Sequence, residues 1–187
     1  MIIAIKENDR VVVASIITEN TTHLSHNDFV NEDNRIIKIN GDTIYCFSTV
    51  GRYVDLFLCD DNFFEFEVSP KSIVKDIIPY MYQKIKQEKG IEDERWDDPN
   101  WGNALTIINN NRIFDITPTF YFREESEFVC HGWNTEYIYD SLENTRSEKA
   151  EERIRKAVDL YDHVAKKDLY PFIVVDSSDN KIQIWEK

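Results

Sequence analysis

Met1-Ile2-Ile3-Ala4-Ile5-Lys6-Glu7-Asn8-Asp9-Arg10-Val11-Val12-Val13-Ala14-Ser15 sets two apolar runs on either side of a polar turn at residues 6–10. Two short apolar runs split by turn-forming residues read as a β-hairpin. The spacing predicts Ile3, Ile5, Val11 and Val13 in one antiparallel hairpin at the heart of a sheet. Chain ends are loose unless they are tied into a sheet. An ordered Met1 is therefore expected, and it is the residue to explain.

Working outward, residues 18–34 are polar and contain His23 and His26, which predicts a loop or an exposed extension. Residues 35–39 and 42–48 form a second hairpin around Asn40-Gly41, the strongest short hairpin signal. Gly51 leads into a short helix to about Cys59. The alternation of Phe64, Phe66 and Val68 suggests an extended link. Ser69-Pro70 opens a helix to about Lys89, with Ile73, Val74, Ile77, Ile78, Met81 and Ile85 at helical spacing. Pro79 inside it should kink it. Strands follow at 104–108, 112–116, 119–122 and 127–130, with Asn109-Asn110-Asn111 and Thr117-Pro118 as turns. A helix at 134–142 and a longer one capped by Ser147 come next. A closing hairpin is expected at 171–175 and 181–185. The order is strands, two helices, strands, two helices, strands. Hairpin-linked strands imply antiparallel sheets, and helix pairs must cover them.

The chain has 187 residues, enough for one domain with a sizeable core and cramped for two. One domain over residues 1–187 is expected. A net charge of −13 opposes nucleic-acid binding, which needs clustered Lys and Arg. It suits a basic protein partner. No apolar run approaches the roughly 20 residues of a membrane helix, and the first residues lack the basic and long apolar regions of a signal peptide. A cytoplasmic protein without membrane association is expected. Cys46, Cys59 and Cys130 are too few and too dispersed for a disulfide framework or a zinc module.

Four segments together resemble the proteasome β-subunit and HslV type of N-terminal-nucleophile hydrolase. "VGRYVDLFLCDDNF" looks like the strand-to-helix segment, with Gly51 and Asp55 at its glycine and aspartate positions. "ALTIINNNRIFDITP" resembles the central hairpin, and "VCHGWNTEYIYDSLENT" the small-residue turn with its helix. "SEKAEERIRKAVDLYDHVAKKDLYPFIVV" is similar to the last long helix and strand. The resemblance spans nearly the whole chain. It implies an α+β fold, a four-layer αββα sandwich of two mostly antiparallel sheets between helix pairs, and often an oligomer.

In that family an N-terminal threonine, serine or cysteine attacks a carbonyl while its own amine takes the proton. The resemblance puts Met1 about where that nucleophile, or the residue after it, should stand. A thioether forms no acyl intermediate, and removing Met1 would expose Ile2. Cutting before Thr21 or Thr22 would discard the first hairpin. The family's first aspartate falls near Ile16, and its lysine near Asn34 or Arg35, where arginine cannot replace a tuned lysine. The turn serine is matched by His131, and the late aspartate by Asp168. The companion serine of that aspartate is matched by Pro171. Gly51 keeps an N–H for an oxyanion. Met1, Gly51, His131 and Asp168 are thus the candidates of a vestigial site. No cofactor is implied.

Other constellations are weaker. His23-x-x-His26 has metal-ligand spacing but no further ligand. Cys130-His131 points to opposite faces of a strand. The aromatic stretches "NFFEF" and "ERWDDPNW" hold Phe63, Phe64, Phe66, Trp96 and Trp101, which reads as an association surface. The leading expectation is a proteasome-like protein without threonine-peptidase activity that acts in assembly or protein binding, as a homo-oligomer. The alternatives are a hydrolase with a divergent site built on His131, Asp168 and the Gly51 amide, and an acidic immunity or inhibitor protein.

Overall fold

In the computed structural model the described residues are 1–16, 28–31, 35–48, 51–88, 104–132, 135–165 and 171–187. The opening hairpin is β1 (Ile2–Glu7) and β2 (Arg10–Ile16), joined by Asn8-Asp9 with Asn8 at φ 52°. Asparagine accepts that left-handed conformation with little strain. Ile3 lies opposite Ala14 and Ile5 opposite Val12.

The hairpin is central. β9 (Phe128–His131) pairs with the other side of β1, and β10 (Phe172–Asp176) with the other side of β2. β11 (Lys181–Trp185) completes a five-stranded sheet in the order β11-β10-β2-β1-β9. The second sheet has six strands in chain order: β3 (Asp28–Asn31), β4 (Arg35–Asn40), β5 (Thr43–Ser48), β6 (Ala104–Asn109), β7 (Arg112–Ile116) and β8 (Phe122–Glu125). Every pairing in both sheets is antiparallel. The turns follow their residues. Gly41 sits at φ 59°, and Asn110 and Asn111 at 50° and 58°, the positive values that tight hairpins demand.

Alternation along the strands builds three apolar layers. Ile2, Ala4, Val11 and Val13 face Ile37, Ile44, Cys46, Ile108 and Ile113 across the gap between the sheets. Met1, Ile3, Ile5, Val12 and Ala14 face α4 (Glu136–Asn144) and α5 (Ala150–Ala165). Tyr45, Phe47, Leu105, Ile107 and Phe114 pack under a second helical layer. That layer is α1 (Gly51–Leu58), α2 (Pro70–Ser72), a π-helical turn at Ile73–Ile77, and α3 (Ile78–Glu88). The result is the expected αββα sandwich.

Local departures from expectation have physical causes. The Pro79 kink is a π turn in which the Ile78 N–H bonds to the Ile73 carbonyl. The widened turn relieves the proline, which has no N–H and whose ring clashes with the carbonyl four residues back. Ser69 caps α2 as its sequence suggests, accepting the Ser72 N–H at 3.2 Å. The segment Asp61–Glu65 is a 3-10 helix rather than an extended link. It buries Phe63 completely and sets Phe64 edge-on to Tyr45 at 5.1 Å, while Phe66 meets Tyr80 at 5.1 Å. Phe63 is thus a core residue, and Phe64 and Phe66 are half-buried against the same layer. Trp96 and Trp101 lie outside the described residues.

The cap of α5 comes from far away in the chain. Glu7, at the end of β1, accepts the Ala150 N–H at 3.1 Å. Its negative charge also suits a helix start. Arg10 ties the same carboxylate (Nε to Oε2, 3.1 Å) to Glu151 at 2.9 Å and to Asp176. One guanidinium therefore joins the first hairpin, the last long helix and β10.

Burial works to raise the Glu7 carboxyl, but Arg10 and the Ala150 N–H outweigh it and hold its pKa below 4.5. For Asp176, burial is likewise outweighed by Ser178 and Arg10, and the pKa falls below 3.8. Depressed carboxylates add stability that is present above these ordinary values and lost as pH falls through the folded ones. Arg10→Ala should lower the free energy of urea unfolding by about 1–3 kcal/mol at neutral pH. The gap between variant and parent should close as pH falls below 3.8.

Candidate functional site

β7 carries Ile113 and Asp115 on one face, and that face looks into the gap between the sheets. Asp115 is fully buried there. A buried carboxylate persists only if it is well partnered, and three side chains supply that. Thr106, its cross-strand neighbour on β6, donates its hydroxyl to Oδ1 at 3.3 Å. Arg123 on β8 donates to Oδ2 at 3.1 Å. His131 arrives from the other sheet, with Nε2 at 2.6 Å from Oδ1. Burial pushes the Asp115 carboxyl up, but His131 and Arg123 more than offset it, and its pKa lies below the ordinary 3.8. The group is an anion at neutral pH.

His131 stands at the end of β9, directly opposite Ile2 on β1. The polar cluster therefore adjoins the beginning of β1 on the inter-sheet side. The side chains at this end of β1 are apolar: Ile2 is fully buried in the inter-sheet layer and Met1 is buried in the helix-side layer. Met1 borders a narrow apolar crevice with Ile3, Ala14, Ser15, Val158 and Phe172. The next residue, Gly132, has φ +144°, and a Cβ on it would lie 3.1 Å from the Met1 Cα. Glycine is needed here for both reasons, because the chain passes hard against the Met1 backbone.

Around the cluster the chemistry is quiet. Burial first, and the Asp115 charge second, push the Cys130 thiol well above its ordinary value, which leaves it a poor nucleophile. Burial does the same to Cys46. Tyr139 on α4 is pushed up to about 12, chiefly by burial and then by Cys130 and Glu125. Arg123 also pairs with Glu125 at 3.1 Å. Among the described residues no group of three His, Cys, Asp or Glu is placed to hold a metal ion.

Of the residues singled out by sequence, the structure brings Met1 beside the His131-Gly132 turn, with Met1 and His131 facing opposite layers. Gly51 opens α1 on the outer side of the second sheet. Asp168, His23 and His26 lie outside the described residues. Asp115 and Arg123 are additions. One signal in the sequence bears on Asp115: in Arg-Ile-Phe-Asp-Ile the aspartate falls on the same alternation as Ile113, so a carboxylate on a buried face had to have a partner. That partner sits 16 residues on, in another sheet.

Three solved structures bear on this geometry. BPH from Thiobacillus denitrificans, in complex with epoxomicin, superimposes with a TM-score of 0.63 at 17% identity, over 94% of this chain and 97% of that one. The fold is that of the proteasome-like N-terminal-nucleophile hydrolases. HslV from Trypanosoma brucei gives 0.58 at 12% identity, over 94% and 97%. Anbu from Pseudomonas aeruginosa, solved as a helical assembly, gives 0.60 at 12%, over 100% and 86%. No protein-family model matches the sequence, and no curated protein matches it by sequence. At such identities the proteasome-like likeness carries the architecture, and the chemistry rests on the residues of the site. Among the described residues no helix is long and apolar enough to cross a membrane.

Asp115→Ala should lower the free energy of unfolding by about 3 kcal/mol or more, since it strips the partner from His131 inside the sandwich. Gly132→Ala should cost about 1–3 kcal/mol through backbone strain and the Met1 contact. Urea titrations monitored by tryptophan fluorescence would measure both.

Proposed function

We propose that this chain is a proteasome-like protein without threonine-peptidase activity, acting in the cytoplasm in assembly or protein binding. One observation carries the reading. At the start of β1, where the family places its nucleophile, the inter-sheet position is a fully buried isoleucine and its neighbour a buried methionine. Neither side chain has a hydroxyl or thiol to attack a carbonyl. The polar cluster opposite is engaged with itself, since the Thr106 hydroxyl donates to Asp115 rather than facing a substrate.

Processing further along the chain does not restore a nucleophile. β1 and β2 are interior strands of the five-stranded sheet. A cut before Thr21 or Thr22, residues outside the described set, would sever both from the rest of the chain. Homo-oligomerisation accords with the helical assembly in which the similar Anbu from Pseudomonas aeruginosa was solved.

A second reading, an amide or peptide hydrolase with a divergent site, draws on the Asp115–His131 contact, because a buried carboxylate can orient an imidazole as a general base. It lacks a nucleophile beside that imidazole among the described residues.

Incubation with epoxomicin, followed by intact-mass measurement, separates the two classes. The expected outcome is an unmodified mass, no species beginning at Thr21 or Thr22, and no hydrolysis of fluorogenic peptides. An adduct of the inhibitor's mass, or a processed chain that cleaves peptides, would contradict the proposal.

A further inference from the structure

β11 closes one side of the five-stranded sheet, and among the described strands none pairs along its outer side. An open edge offers a row of backbone N–H and C=O groups to another strand, and proteins normally blunt it with charges, prolines or bulges. The edge strand β8 follows that rule: it reads Phe-Arg-Glu-Glu. β11 does not. It reads Lys-Ile-Gln-Ile-Trp, with its one charge at the first position, no proline, and an unbroken register to β10. Ile182 packs into the inter-sheet layer, while Ile184, on the same face, is 51% exposed.

The strand is complementary to itself. A two-fold axis perpendicular to the sheet keeps each face on its own side, so facing residues must share a face and the axis must pass through a residue. Through Gln183, all five residues find partners: Gln183 meets the second copy's Gln183, Ile182 meets Ile184, and Lys181 meets Trp185. Just beyond the strand, Asp179 comes opposite Lys187. An axis through Ile184 would set Lys181 against Lys187, and one through Ile182 would push Trp185 against Asp179 in the turn. The charge fits the same occupant. The whole chain carries −13, which drives copies apart, but within residues 179–187 Asp179 and Glu186 balance Lys181 and Lys187.

We propose that two copies of this chain associate through antiparallel pairing of their β11 edges about Gln183, fusing two five-stranded sheets into one. The proposal names the surface for the assembly reading above, and it rests on that reading. A junction of two five-residue strands is small beside the roughly 1,200–2,000 Å² of a stable interface, so the contact is weak and concentration-dependent.

Two measurements on the full chain test it. In a Cys59→Ser background, chosen because Cys46 and Cys130 are buried and Cys59 is exposed, Gln183→Cys should form a disulfide-linked dimer under mild oxidation. Directly opposed residues of antiparallel strands have Cβ atoms about 4.5–5.5 Å apart, close enough to bridge with a small adjustment. Ser178→Cys, in the exposed turn, should crosslink far more slowly. In light scattering the unaltered chain should dimerise with concentration, and Ile184→Lys should weaken that by about tenfold or more. If the chain associates while Ile184→Lys leaves it unchanged and Gln183→Cys crosslinks no faster than Ser178→Cys, the β11 surface is wrong and the assembly reading stands. A strict monomer up to hundreds of micromolar would overturn both.

Discussion

β1 is enclosed on four sides, and the rest of the structure depends on that enclosure. It is hydrogen-bonded to β2 and β9 in the plane of its sheet. Its side chains alternate between the α4–α5 layer and the second sheet, so every residue from Met1 to Ile5 is buried. A strand in that position has no face left for water. Its apolar sequence follows from burial on both sides. At roughly 1.5–3 kcal/mol for each fully buried Ile or Val side chain, this one hairpin is a large part of what holds the layers together. The same enclosure is what the proposed absence of threonine-peptidase chemistry rests on: Met1 and Ile2 are committed to packing the core.

Much of this was legible in the sequence because the signals were local. Gly41 and Asn110-Asn111 fixed two hairpins through the positive φ that those residues tolerate, although the first turn is Gly41-Asp42, with Asn40 still in the strand and paired with Thr43. Ser69-Pro70 marked a helix start through its cap. What stayed hidden depended on contacts distant in sequence. β3 lies in a polar stretch that reads as loop, and a strand that pairs, among the described residues, with β4 alone needs little apolar signature. The consecutive pair Phe63-Phe64 points both rings towards the core because a 3-10 turn replaces the strand alternation. Ser147 has the residue type of a cap, yet Glu7 does the capping across 143 residues. Asp115 was visible as an oddity within an apolar strand, but His131 could be recognised as its partner only once two sheets were stacked.

The polar cluster is best understood as a lock between those sheets. Asp115 belongs to one and His131 to the other, and their 2.6 Å contact fixes how β7 sits over β9. A buried polar contact of this kind contributes specificity of arrangement more than net stability. The Arg10 network has the same character on the helix side, where one guanidinium aligns the hairpin, α5 and β10. The fold is that of the proteasome-like hydrolases, and the polar groups near the start of β1 serve to register its layers.

Hydrogen exchange along β1 tests this account most directly. Its amides are shared with strands on both sides, so opening them requires breaking the centre of the sheet. The account predicts that peptides covering residues 1–7 exchange only at the rate of global unfolding, far more slowly than those covering β11. Exchange of residues 1–7 as fast as that of β11 would mean the strand opens locally, and the claim that β1 is the closed centre on which the layers depend would fall.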